Sequence, residues 1–321
     1  MNNRVASEYQ GYAVLGNRIM VRISGPGTDK FVQGQFSQQV DDITPRQSRR
    51  ATVNTPKGRA YALTRLVRDG DDLLMDLDRE LADATLSQLR KYLMLFRGTT
   101  MEIVEGAEFV GLIGTHSALA TVGEQAGRLD DNGDVLATNP GYLIRIEDTP
   151  DGVARYEWWL PEGGSLRPDG VPELSTRQWE AASIAAGVPW LTPQTVEAYV
   201  PQMLNLQHLQ GVHFKKGCYT GQEVIARMHF LGQLKKSLYR LSFSGCHTAP
   251  APGTIVRAGE AKAGEVVNAA MTAENAGEML AVLRHDADMA TLRLAENADV
   301  RLGLLPLPYP VPEREASAAQ G

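Results

Sequence analysis

In this 321-residue chain apolar residues come in short bursts, and in the C-terminal third Gly, Asn and Asp punctuate them into short elements. Even a run such as Tyr92 to Phe96 falls far below the roughly 20 residues a membrane-spanning helix needs. Toward the C-terminus the bursts recur at regular spacing: Ser237 to Phe243, the surroundings of Ile255 and Val266, Met279 to Leu283, Ala290 to Leu294 and Asp299 to Leu302. Short strands at that rhythm predict a small β-barrel.

The N-terminal third predicts an α+β domain. Arg18 to Ser24 alternates as a strand, and Gly25-Pro26-Gly27 turns it into a helix around Asp29 to Phe36. Ala51 to Asn54 and Ala60 to Leu77 read as strands, the second folded into a hairpin at Asp69-Gly70, and Glu80 to Phe96 carries apolar residues at helical spacing. The run GPGTDK is no Walker loop, because the required GK[ST] triplet is absent from the chain. In the middle third, Phe109 to Ile113, Tyr142 to Glu147 and Ala154 to Leu160 predict strands, and His116 to Gln125 predicts a helix. Trp158 and Trp159 place one ring on each face of their strand, which makes one of them core. Ser175 to Gly187 predicts a helix that starts at a Ser or Thr cap and stops at Gly187.

A composition of 43% hydrophobic and 22% charged residues is that of a globular protein with real cores, not of a disordered or fibrous one. Only Cys218 and Cys246 are present, with no CxxC and no histidine at ligand spacing, so neither a disulfide framework nor a metal site is expected. The first ten residues show no basic-then-apolar secretion pattern, which points to the cytoplasm.

The chemistry concentrates in Lys215 to Phe230, KKGCYTGQEVIARMHF. Thr220 and Glu223 have the spacing of a capping box, so a helix is expected to begin there, with Tyr219 and Val224 as its hydrophobic staple. Cys218 then lies two residues ahead of the cap. Helix-terminal N–H groups, Lys215 and Lys216 would favour its thiolate there, with Arg227 adding positive potential. A free cysteine is also often buried as a small hydrophobe, but glycine, tyrosine, threonine and two lysines form a polar, turn-rich setting. Cys218 is the candidate functional thiol.

The stretch from Pro201, PQMLNLQHLQGVHFKKGCYTGQEVIAR, resembles the signature of the YgfZ family, the folate-binding, tRNA-modifying relatives of the glycine-cleavage aminomethyltransferase. Asn205 falls at the expected distance before Lys216, Gly217, Cys218, Tyr219, Gly221, Gln222 and Glu223, and weaker echoes occur at Gly34-Gln35, Lys57-Gly58 and Pro306-Leu307-Pro308-Tyr309. The resemblance implies an α+β, three-domain, aminomethyltransferase-like ring ending in a small β-barrel. The expected segmentation is 1–107, 108–235 ending in the motif, 236–312 as the barrel, and a loose tail over 313–321, with the first two domains free to interleave.

By the same resemblance the cofactor is folate, as tetrahydrofolate, with Trp179 in its pocket and Trp190 as a second nearby aromatic. Arg18 stands where the family has another tryptophan and would contact the folate carboxylates. Ala185 stands where the aminomethyltransferases carry a pterin-binding glutamate, and Lys57 to Ala62 lacks their paired aspartates. Aminomethyl transfer is therefore disfavoured.

Charge adds an independent clue. Ile43 to Arg68 carries +7 and His213 to Arg240 carries +5 on a chain of net charge −6, which reads as an anion-binding zone. The function expected is a folate-binding accessory protein whose partners are iron–sulfur client enzymes, including tRNA-modifying ones, with Cys218 as the working thiol. The alternatives are a tetrahydrofolate-dependent one-carbon transferase, which turnover of a methylamine donor would reveal, and an RNA-binding module, which a steep salt dependence would reveal.

Overall fold

A computed structural model describes residues 10–232 and 234–311, so the tail expected from Glu313 lies outside the described residues. The chain runs through β1 (Gly11–Val14), β2 (Arg18–Ser24), α1 (Thr28–Gln35), β3 (Arg49–Asn54), β4 (Ala60–Asp69), β5 (Asp72–Asp78), α2 (Arg79–Leu93) and β6 (Thr100–Ile103). Five of these strands form an antiparallel sheet in the order β3-β4-β5-β2-β6. Phe31, Phe36, Leu86 and Leu89 pack against Val21, Ile23, Leu73 and Met75 and so seat the two helices on it. The expected hairpin is present, with Asp69 opposite Asp72 and Gly70 supplying the positive φ of its turn.

β7 (Glu108–Ile113), α3 (Thr115–Val122), β8 (Val135–Thr138), β9 (Gly141–Ile146), β10 (Arg155–Leu160) and α4 (Thr176–Ala185) come next. The second sheet has the order β1-β7-β10-β9-β8, so the first strand among the described residues lies in it and not beside β2. All six residues of β10 are buried. Trp158 joins Val110 and Leu112 on one face and Trp159 joins Phe109 and Ile113 on the other, so both tandem tryptophans are core.

Two helix starts differ in kind. At Ser175 a capping box forms, the serine hydroxyl accepting from Gln178 N–H while the Gln178 side chain accepts from Ser175 N–H. The box expected from Thr220 and Glu223 does not form. α5 (Gln222–Phe230) is instead capped by Gly221 in the left-handed region at φ 84°, and the Thr220 hydroxyl bonds Gln35 Oε1 at 3.1 Å.

The remaining strands are β11 (Lys236–Ser244), β12 (Ile255–Ala258), β13 (Ala261–Ala273), β14 (Ala276–Arg284), β15 (Leu292–Leu294) and β16 (Arg301–Leu305). They make one curled sheet, ordered β15-β12-β13-β14-β11-β16, so the barrel expected here takes the form of a half-barrel. β13 is long rather than short, and its register shifts at Val266/Asn268 and Met271/Ala273 are the irregularities that bend such a strand. α4 packs against both β1 and the β13–β14 pair, joining the second sheet to the half-barrel. No helix among the described residues is long and apolar enough to cross a membrane.

Candidate functional site

The motif loop is bolted down at every second or third residue. Lys216 is 7% exposed, and its ammonium donates to the carbonyls of Gln33 at 2.7 Å, Phe36 at 2.7 Å and Gln38 at 2.5 Å while lying 4.9 Å over the Tyr219 ring. Burial pulls its pKa down to about 7. The three acceptors oppose this, since only the ammonium form carries three N–H donors. Lys216 is thus a clamp on the end of α1 and not a surface charge beside Cys218, as the sequence suggested.

Thr220 N–H donates to Gly34 O at 3.1 Å, and Gln222 Nε2 donates to Lys216 O at 3.2 Å. At Gly221 an added Cβ would stand 2.5 Å from Thr55 O and 3.1 Å from Gly58 Cα. Gly58 has φ 70°, so two positive-φ glycines meet backbone to backbone. That contact explains why glycine, and not Thr220, caps α5.

Asn205, fully buried at φ 58°, ties the segment to β11 by donating from Nδ2 to Leu238 O at 2.8 Å and accepting from Leu238 N at 3.3 Å. Tyr309 stacks on His208 with centroids 5.4 Å apart and donates its hydroxyl to Gly187 O at 2.6 Å. The scattered echoes at Gly34-Gln35, Lys57-Gly58 and Pro306 to Tyr309 therefore converge on one segment. Within it Gly217, Cys218 and Glu223 are exposed, and Cys218 lies three residues before the cap. Farther along, α5 presents exposed Phe230, Leu231 follows it exposed, and His229 stacks on Phe214 at 3.7 Å. Cys246 sits in the turn after β11, against the half-barrel core.

A second site is a cleft lined by Arg18, Arg50, Asp76, Asp78, Trp179, Glu180 and Trp190, among others. Trp179 is 4% exposed: the Arg155 guanidinium lies 4.5 Å over its ring, and a Cβ added to Gly111 would come within 2.5 Å of it. It is core with an edge on the cleft. Arg18 is already engaged, its Nη1 2.9 Å from Glu157 Oε1 and 3.3 Å from Asp76 Oδ2.

Ala185 is 3% exposed and off the lining. Thr176, Trp179, Glu180 and Ser183, at i, i+3, i+4 and i+7 of α4, form the helix face that lines the cleft. Sequence reasoning missed Asp76, Asp78 and Glu180, and saw Arg50 only as part of the basic segment. The α4 periodicity and the alternation of Asp76 with Asp78 in β5 were the available signals. Burial raises the pKa of Asp76, Asp78 and Glu180.

Behind the cleft the two sheets meet through charge. Glu147 accepts from Arg50 Nε at 3.0 Å and Nη2 at 2.6 Å, with Arg65 Nη2 at 3.6 Å, and Trp159 Nε1 donates to Glu157 at 2.9 Å. Burial alone would raise both glutamates, but Arg50 and Arg65 hold Glu147 to about 2, and Arg18 and Arg65 do the same for Glu157. Arg50 and Arg65 are therefore internal, as is Arg240, paired with Glu278 at 2.7 Å, while Arg68 pairs with Asp29 at 2.8 Å. Arg50, Arg65, Arg68 and Arg240 of the two basic segments are thus committed to ion pairs and are not free charges of the anion-binding zone that their count suggested. Among the described residues no group of three or more His, Cys, Asp and Glu side chains is placed to hold a metal ion.

No family model matches the chain. It is 30% identical over 319 residues to the tRNA-modifying protein YgfZ of Cronobacter sakazakii, covering 92% of this chain and 91% of that one. It is 28% identical over 292 residues to the tRNA-modifying protein YgfZ of Colwellia psychrerythraea, covering 90% of each. The glycine cleavage system aminomethyltransferase T from Bartonella henselae has a similar fold, with TM-score 0.74, 13% identity, and coverage of 95% of this chain and 89% of that one.

Proposed function

The chain belongs to the YgfZ family of tRNA-modifying proteins, and we propose that it acts there as a folate-binding cytoplasmic accessory protein that supports iron–sulfur enzymes, with Cys218 as its working thiol. The observation that carries this reading is the contrast within one loop: Cys218 is exposed while Lys216 and Tyr219, on either side, are buried and bonded. A thiol held outward on a braced loop is presented to a partner. Its thiolate can transiently hold sulfur or iron, or exchange with a disulfide. A lone thiolate cannot hold a stable cluster, which takes about four ligands, so the cluster belongs to the client. Exposed Phe230 and Leu231, at the far end of the helix the loop leads into, supply apolar surface suited to a protein partner.

For folate, the cleft's donor set fits a pterin. Trp190 and the edge of Trp179 provide aromatic wall, and the half-buried carboxylates of Asp76, Asp78 and Glu180 suit the paired N–H groups of an aminopyrimidine ring. Glu180, on the cleft-facing side of the helix in which Ala185 replaces the family glutamate, supplies an acid to the same helix. Arg18 and Arg50 would face the ligand's carboxylates. Folate is a one-carbon carrier, but Lys57 to Ala62 offers no aspartate pair to hold an amine, so it is read here as a ligand and not as a substrate.

Two measurements test this. Tetrahydrofolate titrated into the protein should give saturable heat and quench tryptophan fluorescence, and Trp190→Ala should weaken binding roughly tenfold. The absence of heat would remove folate from the proposal. Cys218→Ser should leave stability within about 0.5 kcal/mol, because the side chain is exposed, yet abolish the tRNA modification made by an iron–sulfur client in cells lacking the native protein. Full modification with the serine variant would end the role given to Cys218.

A further inference from the structure

We propose that the small polar cleft lined by Ser48, Arg49, Arg50, Arg65, Gly133 and His208 binds an oxyanion of the phosphate class, with Arg65 as its buried cation. Arg65 is 3% exposed, and its Nη1 donates to Ser48 Oγ at 3.0 Å. Its Nε and Nη2 have no hydrogen-bond partner. The Glu147 Oε2 atom lies 3.6 Å from Nη2, beyond hydrogen-bond reach, and already accepts from Arg50 Nη2 at 2.6 Å. Glu147 is the one acid of the lining.

The charge count points the same way. Three guanidinium groups of the lining, Arg49, Arg50 and Arg65, face its one carboxylate, Glu147. Buried N–H donors left without acceptors are costly, and two of them on one edge of a planar guanidinium are the partner a tetrahedral oxyanion fits in bidentate fashion. Arg49, half-buried at the rim with Nη1 3.4 Å from Gln210 Oε1, adds a second cation at the entrance. Arg50 lines both this cleft and the one assigned to folate, but nothing in the oxyanion site depends on folate being bound.

The test is titration of inorganic phosphate into the full-length protein at constant ionic strength, balanced with chloride, followed by melting temperature and by calorimetry. The melting temperature should climb with the logarithm of phosphate concentration above saturation, as expected for a ligand of the native state. Arg65→Gln should abolish the response. Arg49→Gln, at the rim and harmless to the core, should weaken phosphate binding roughly tenfold through the loss of one charge-assisted hydrogen bond. A nucleoside 5′-monophosphate that displaces phosphate would extend the site to monoesters. The proposal is overturned if phosphate stabilises the protein no more than equivalent chloride does. It is also overturned if Arg49→Gln binds phosphate as tightly as the parent, a result that decides the matter even where Arg65→Gln does not fold.

Discussion

Lys216→Met is expected to destabilise the protein by about 3 kcal/mol or more and to free the motif loop from α1. Methionine matches the lysine stem in volume and keeps the packing over Tyr219, so the change removes little except the ammonium group. Three carbonyls, of Gln33, Phe36 and Gln38, then lose the donor they share. Each buried acceptor left without a partner costs roughly 1–3 kcal/mol, a large fraction of the stability of a typical domain. Arginine should not rescue, because a planar fork cannot place its donors on three carbonyls gathered around one point. The readout that isolates the clamp is amide hydrogen exchange: protection at Thr220 and Gln222 should fall, while the alkylation rate of Cys218, already exposed, should change little. Unchanged protection would mean that the Gly221–Thr55 contact holds the loop without the lysine.

How far the sequence foretold this depends on the range of the interactions concerned. Local patterns were readable: the alternation of Arg18 to Ser24 gives β2 residue for residue, and the cap at Ser175 starts α4 as expected. β1, β6 and β8 were not anticipated, since each has four residues, too few to show a period. The Thr220 box misled because its spacing is a local signal, whereas Gly221 answers to Thr55, a contact across the chain. The buried charges were least accessible. Arg18 meets Glu157 across 139 residues and Arg50 meets Glu147 across 97. Net-charge counting placed Arg50 in an anion-binding zone, and the resemblance gave Arg18 to folate, because neither can see such pairing. The one visible hint was a strand, RYEWWL, that carries two charges among aromatic and apolar residues. The motif resemblance located the thiol loop, but the cleft carboxylates carry no motif.

Glu147→Gln is expected to cost about 3–5 kcal/mol, because it keeps the side chain's shape while leaving Arg50 and Arg65 without their shared counter-charge in the interior. A second route gives a similar figure. A carboxyl that titrates at 4.5 in the unfolded chain and at about 2 in the folded one contributes about 3 kcal/mol of stability. Because the folded value is the lower, this contribution is present above about pH 4.5 and is lost as the pH falls toward 2. Glu157, also held to about 2, adds a parallel loss over the same window. Asp76 runs the other way: burial raises its pKa above 3.8, so acidification relieves a cost and offsets part of the loss. The parent protein should therefore lose stability steeply between pH 4.5 and pH 2, and the glutamine variant, weaker at neutral pH, should show roughly half that acid slope. Urea unfolding at a series of pH values measures both quantities. A variant with the parent's full slope would place the acid sensitivity in Glu157 or elsewhere. The expected halving would show that the Glu147 carboxylate, bridging β3 to the end of β9, carries about half of the acid-sensitive stability and Glu157 the other half.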